Sequence, residues 1–158
     1  DIQIAYFERF DELKDKNFWR DNIKKLSKYV VLEGEQGFEA RNVGGGCPPV
    51  RTKHGWLIIY HGVEPMNKGR VYHAGAALVG LDDPTKLIAR LPYPLFSPDE
   101  EWEHQGHVHN VVFPTGTARF KERLYIYYGA ADNYVAVASV NFNSLMRELL
   151  KHRVKRGK

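Results

Sequence analysis

The chain has 158 residues, a formal net charge of +4 and a single cysteine. That length suits one ordinary domain, which hides about 70% of its unfolded surface, and the lone Cys47 excludes both an internal disulfide framework and a cysteine-based zinc site. No stretch approaches the roughly 18 continuous apolar residues of a membrane span, and DIQIAYFERF lacks the charged-then-apolar order of a signal peptide, so no membrane partner is expected.

The opening DIQIAYF alternates apolar and polar positions and predicts a strand. From Asp11, read as an N-cap, Leu13, Trp19, Ile23 and Leu26 recur on one helical face with Lys14, Lys16, Lys24 and Lys25 mostly outward, which predicts one or two helices inserted between strands. KYVVLEGE is strand-like again, and FEARNVGGGCPP is an extended segment that breaks into a glycine-proline loop. From Trp56 onward the pattern is almost all β: GWLIIYHG, RVYHAGAALVGL, KLIARL, NVVFPTGTARF, RLYIYYGA and YVAVASV, separated by turn clusters such as DDPT, FSPDE, FKER and ADN. A final helix, capped by Asn143 or Ser144, carries Leu145, Leu149 and Leu150 on one side. The tail KHRVKRGK concentrates much of the positive charge. Cations at a helix end complement its dipole and keep a terminus solvated, so no nucleic-acid partner is expected.

Short strands at regular spacing predict a sandwich, a barrel or a propeller. The meander over residues 111 to 140 and the pair formed by GWLIIYHG and RVYHAGAALVGL each look like part of a propeller blade. Blades run roughly 40 to 50 residues and a closed ring needs at least about four, so if the fold is a propeller this chain supplies only part of the ring. The missing initiator Met likewise points to a trimmed or partial chain, and the single thiol to a reducing, cytoplasmic setting.

Several residues carry chemistry beyond packing. Pro48 and Pro49 stiffen the loop before Arg51 and Lys53, which lie two apart on a predicted strand and so share a face. A guanidinium there suits phosphate or carboxylate, and an exposed polar strand face is the structural alternative. His61, preceded by Tyr60, ends an apolar strand at a turn, where a rigid scaffold carries binding residues. HQGHVHN places His104, His107 and His109 close together, but no acidic or cysteine partner completes a metal signature and no metal is expected. YYGAADNY presents Asp132 at a turn. Backbone hydrogen bonding would justify it, and so would acceptance from sugar hydroxyls beside Tyr127 or Tyr128.

Together GGGCPPVRTKHGWLIIYHGVE, VYHAGAALVGLDDPTKLIARLPYPLFSPDEEWE, NVVFPTGTARF and LYIYYGAAD strongly resemble glycoside hydrolase family 130, the β-mannoside phosphorylases and related mannosidases, over roughly residues 38 to 140. The resemblance implies an all-β, mainly antiparallel fold: a partial five-bladed β-propeller, the C-terminal half of the ring. Residues 1–37 would form strand, helical insertion and strand, 38–140 the blades, and 141–158 a C-terminal helix with its basic tail, all in one partial domain. It implies inverting phosphorolysis of β-mannosides to α-mannose 1-phosphate, with inorganic phosphate as co-substrate and no cofactor.

By the same resemblance Arg51, where the family commonly has lysine, and His61 would contact phosphate, with Arg41 a further anion contact. Asp132 matches the aspartate at the sugar pocket, with Tyr60 and Tyr128 as accompanying sugar contacts. His107 stands where members often carry an acid, and His73 where many carry arginine. The family's general acid lies in the N-terminal half, and no segment here matches its surroundings. The implied partners are a β-mannosyl oligosaccharide, phosphate, and either the missing half or a second copy. The alternatives are a β-mannoside hydrolase of the same family and a non-catalytic carbohydrate-binding module.

Overall fold

The computed structural model describes residues 1–35 and 37–154. The predicted N-terminal strand is cut to two residues, β1 (Ile2–Gln3), paired antiparallel with β2 (Val30–Leu32). Between them a 3-10 turn over Phe10–Lys14 leads into α1 (Lys16–Lys24). The helix is capped by Asp15, which accepts the Asn17 N–H at 2.8 Å, and not by Asp11, which pairs with Arg9. The helical face read from sequence exists but meets no core: Trp19 and Ile23 are 43% and 63% exposed.

The next five strands form one antiparallel sheet: β3 (Asn42–Gly45), β4 (Val50–Thr52), β5 (Gly55–Pro65), β6 (Arg70–Val79) and β7 (Leu87–Arg90). β3 and β4 lie end to end along β5, β3 against its far end and β4 against its start, with the glycine-proline loop between them. Thr52 ends β4, so Lys53 sits in the hairpin turn rather than on the strand with Arg51. There the Thr52 hydroxyl accepts the His54 N–H at 3.1 Å and donates to the Gly55 carbonyl at 2.7 Å.

A second sheet follows the short helix α2 (Glu101–His104): β8 (Val112–Phe120), β9 (Arg123–Ala130) and β10 (Tyr134–Asn141), the three-stranded meander read from sequence. α3 (Phe142–Lys151) follows β10. Its cap is Asn141, whose side chain accepts the Ser144 N–H at 3.0 Å, and not Asn143 or Ser144. Residues 155–158 of the basic tail lie outside the described residues. After α3 the chain returns along the outer edge of β7, where Arg153 bridges Ala89 antiparallel and the Val154 N–H donates to the Ile88 carbonyl at 3.0 Å. Among the described residues no helix is long and apolar enough to cross a membrane.

β5 and β6 read as near-continuous apolar runs because their sheet is buried on both faces. Leu57, Ile59, Ala76 and Leu78 pack on one side against β9 and the apolar stripe of α3, Leu145, Met146 and Leu149. Ile58, Tyr60, Ala77 and Val79 pack on the other against Val31, Leu32 and Val43. Cross-strand neighbours are matched large against small. Tyr60 faces Gly75, and a methyl group on Gly75 would sit inside the phenol ring.

Gly75→Ala is expected to cost about 1–3 kcal/mol by overpacking, read as a fall in the urea midpoint at constant m-value. Gly116→Ala, at a bulge where an added Cβ meets nothing within 4 Å, is the matched control and should shift it little. Equal shifts would show that the Tyr60 ring moves aside freely.

Candidate functional site

The two sheets meet where Tyr72 of β6 bridges Val111 in parallel and Ala74 bridges Phe96. This junction brings together residues far apart in sequence, and a cavity of about 190 Å³ opens beside it, lined by Arg70, Tyr72, Val108, Val111, Phe113 and Asp132. The Arg70 guanidinium lies 5.4 Å from the centre of the Tyr72 ring.

Asp132 is exposed and sits in the three-residue turn, 131–133, joining β9 to β10. Ala131 and Asp132 have φ of 48° and 55°, and the Asn133 N–H donates to the Ala130 carbonyl at 3.0 Å. Two successive left-handed residues make the hairpin turn whose twist matches the strands it joins. Aspartate tolerates that conformation, whereas a buried alanine is strained in it, so the tip that presents Asp132 is held by its surroundings. The Ala131 N–H donates to Val111 and its carbonyl accepts from Val108, while His107 Nδ1 lies 2.9 Å from the Asp132 carbonyl oxygen.

Behind Phe113 lies His61, 8% exposed, its imidazole stacked on the phenyl ring at 4.3 Å between centroids and 30° between planes. Gly44 is its partner across the sheet, and only a residue without a side chain leaves room for the imidazole. His61 Nδ1 is buried with no hydrogen-bond partner, and burial holds the imidazole below its ordinary value of 6.5. The cavity in front of Phe113 thus offers a carboxylate, a guanidinium and two aromatic faces, a lining suited to polar, hydroxyl-bearing or anionic ligands.

The other sequence-derived candidates fall in different places. Arg51 is exposed and pairs with Trp56, five positions before His61 on β5, about 16 Å along the strand. Side chains alternate along a strand, so Trp56 and His61 leave β5 on opposite faces. The expected convergence of Arg51, His61 and Asp132 is therefore not found: His61 stacks on Phe113, which lines the small cavity with Asp132, while Arg51 lines another cavity with Lys53, Arg119 and Arg147. Arg41 is exposed near the far end of β5, its N–H donating to the Val63 carbonyl at 3.0 Å.

Tyr60 and Tyr128, read from the sequence as sugar contacts, lie in the interior of the described fold. Tyr60 is fully buried; its hydroxyl donates to Glu39 and accepts from Arg90 Nε at 3.2 Å, and Arg90 also pairs with Glu39. Burial, reinforced by the Glu39 charge, pushes the Tyr60 phenol well above its ordinary value. Tyr128 is 5% exposed and donates to Glu103 at 2.5 Å. Glu103 also accepts the Asp99 and Glu100 N–H groups, fixing the loop before α2.

The histidine cluster organises its own loop. His104 meets the Asn110 side chain at 2.7 Å, and His109 meets the His104 carbonyl at 3.0 Å. No group of three or more His, Cys, Asp or Glu among the described residues could hold a metal ion. His73 is buried between Ser97 at 2.8 Å and Glu64 at 3.1 Å.

Sequence reading missed Arg70 and Tyr72, which share a face of β6, and Phe113, which only the junction of two sheets brings beside them. It also missed Glu39, Arg90 and Glu103. A lone arginine inside the apolar run KLIARL was the available signal, since a cation there must find a buried partner.

A family model described as beta-1,4-mannooligosaccharide phosphorylase matches residues 9–151. The chain is 38% identical over 145 residues to the 1,2-beta-oligomannan phosphorylase of Thermoanaerobacter sp. (strain X514), covering 92% of this chain and 44% of that protein. It superposes on the beta-1,2-mannobiose phosphorylase of Listeria innocua, solved with beta-1,2-mannobiose, with a TM-score of 0.65 and 36% identity, over 71% of this chain and 31% of that one. It also superposes, with a TM-score of 0.61 and 33% identity, over 72% of this chain and 33% of the other, on a structure from the mannoside phosphorylase family that contains glycoside hydrolases targeting beta-1,2 mannosidic linkages in Candida mannan. The chain thus spans less than half the length of these relatives.

Acidification tests the His61 environment. In the unfolded chain the imidazole titrates at its ordinary 6.5, and in the fold it titrates lower, so the unfolded state takes the proton first and stability falls as pH drops below 6.5. His73, also lowered by burial, acts in the same direction. The melting temperature should decline from pH 7 toward pH 5, and His61→Phe should flatten part of that decline. A variant curve parallel to wild type would mean that His61 takes up its proton freely in the fold.

Proposed function

The chain belongs to glycoside hydrolase family 130, and on that premise we propose that it is part of a β-mannoside phosphorylase, contributing a mannose- and phosphate-binding half-site to inverting phosphorolysis of β-mannosides. The observation that carries this reading is the cleft where Asp132, Arg70, Tyr72 and Phe113 converge beside buried His61.

In that reaction a phosphate oxygen bonds to the anomeric carbon as the glycosidic C–O bond breaks, and the departing oxygen takes the electron pair and a proton from an acid. The product is α-mannose 1-phosphate. Asp132 accepts hydrogen bonds from mannose hydroxyls, and the faces of Tyr72 and Phe113 bound the sugar. Phosphate approaches along the side of His61, with Arg70 and Arg41 supplying charge. Arg51 keeps a role toward anions, but in the cavity that it shares with Arg119 and Arg147.

Asp132 is the carboxylate that lines the cleft, while Glu39 and Glu103 are buried and engaged with Tyr60 and Tyr128. As the family resemblance implies, we place the general acid in sequence outside these 158 residues. We place the two sheets in a five-bladed β-propeller as one partial domain running through the whole chain, its uncovered edges met by the remaining blades or by a second copy. The reducing compartment favoured by the lone Cys47 places the reaction in the cytoplasm.

The test follows α-mannose 1-phosphate from β-mannosyl oligosaccharides and phosphate, with the chain alone and with the complementary half of a relative added. The chain alone should show negligible turnover, since a missing proton donor costs roughly 100- to 10,000-fold. The complemented pair should turn over, and Asp132→Ala should abolish it. Phosphate-independent release of mannose would favour a hydrolase, and sugar binding without turnover in the complemented pair a carbohydrate-binding module. Robust turnover by the chain alone, lost in Asp132→Asn, would place the proton donor here and overturn the half-site.

A further inference from the structure

A second cavity, of about 810 Å³, opens near the start of β5, and Arg51, Lys53, Arg119 and Arg147 line it over an apolar floor that includes Phe142 and Met146. No acidic side chain is among its lining residues, and none of those cations enters an ion pair among the described residues. Three separate segments deliver them: the β4–β5 hairpin, the end of β8 and the first turns of α3. Packing of α3 on the two sheets brings these segments together, and like charges so gathered repel one another unless a counter-charge lies between them.

The cations are also partly held in place. The Arg119 guanidinium lies 4.1 Å from the centre of the Phe142 ring, Arg147 donates to Ser144 Oγ at 2.9 Å, and Thr52 fixes the turn that carries Lys53. Planar guanidinium forks match phosphate oxygens in pairs, and a lysine adds a point charge. Several positive charges around a small volume call for a ligand that concentrates negative charge, which phosphoryl groups do best. The concavity and its apolar floor fit a compact molecule better than a nucleic-acid strand.

The geometry points to a binding site for a small polyanion here: a ligand with two or more phosphate groups, gripped by Arg119, Arg147 and Lys53 with Arg51 at the rim. It is separate from the cleft at Asp132 and stands whether or not the chain takes part in mannoside chemistry.

Calorimetric titration with inorganic phosphate, pyrophosphate and tripolyphosphate, at low and at physiological salt, tests the site. Affinity should rise from phosphate to tripolyphosphate and weaken with salt. The exposed pair Arg119→Gln with Arg147→Gln should lower tripolyphosphate affinity by about tenfold or more through loss of charge-assisted hydrogen bonds, and Lys53→Gln, in a surface turn, should lower it alone should the pair fail to fold. Lys68→Gln, in the turn between β5 and β6, should leave it unchanged. The proposal is overturned by no tripolyphosphate binding, by equal affinity in the variants and wild type, by loss on deleting residues 155–158 instead, or by tighter binding of single-stranded RNA at the same arginines.

Discussion

Burial of β5 on both faces is the constraint from which the rest of the molecule follows. A strand covered on both sides can carry large side chains in alternate directions only if its neighbours yield space, and here they yield it with glycine. Gly44 lies opposite His61, Gly75 opposite Tyr60, and Gly62 of β5 itself beneath Phe38 and Glu39. The two large polar side chains of YHG are thereby turned to opposite faces. Tyr60 enters the interior, and His61 turns toward the junction with the second sheet.

Polar groups inside the molecule tie irregular segments to regular ones. Glu39 belongs to a 3-10 turn, Arg90 to β7 and Tyr60 to β5, and their mutual hydrogen bonds fasten the turn to the sheet. Glu35 adds a second carboxylate 3.6 Å from Arg90. Removing one member of such a set strands a buried charge. Glu103 does the same work in the other sheet, joining Tyr128 of β9 to the loop before α2. Each cluster lies one strand or one loop from the cleft, so the lining of the cleft inherits a stiff backing.

The ends of β5 differ in chemistry. At one end, aromatic rings, a single carboxylate and a buried imidazole frame a small cleft. At the other, cations that enter no ion pair among the described residues ring a larger cavity over an apolar floor. The helical segment near the N-terminus and the outer face of β10 leave Phe10, Ile23, Val135 and Val137 in solvent, the condition of elements whose apolar sides meet no partner within the described residues.

The strands, the meander, the glycine-proline break and both principal helices were legible in the sequence, because hydrophobic period and turn chemistry are local properties. So were the four ordered motifs that carry the family resemblance. Cap positions were off by a few residues, since Asp15 and Asn141 win those roles through backbone geometry that composition does not reveal. Which side of β5 each residue takes could not be read, because an apolar run buried on both faces has no amphipathic alternation to set a direction. Tertiary structure alone decided that Tyr60 and Tyr128 are interior, that His61 meets Phe113, that Phe113 shares a cavity with Asp132, and that Arg51 lines a cavity with Arg119 and Arg147. Those neighbours come from different sheets or from α3, and their meeting depends on how two sheets dock, a choice made by long-range packing that no local pattern encodes.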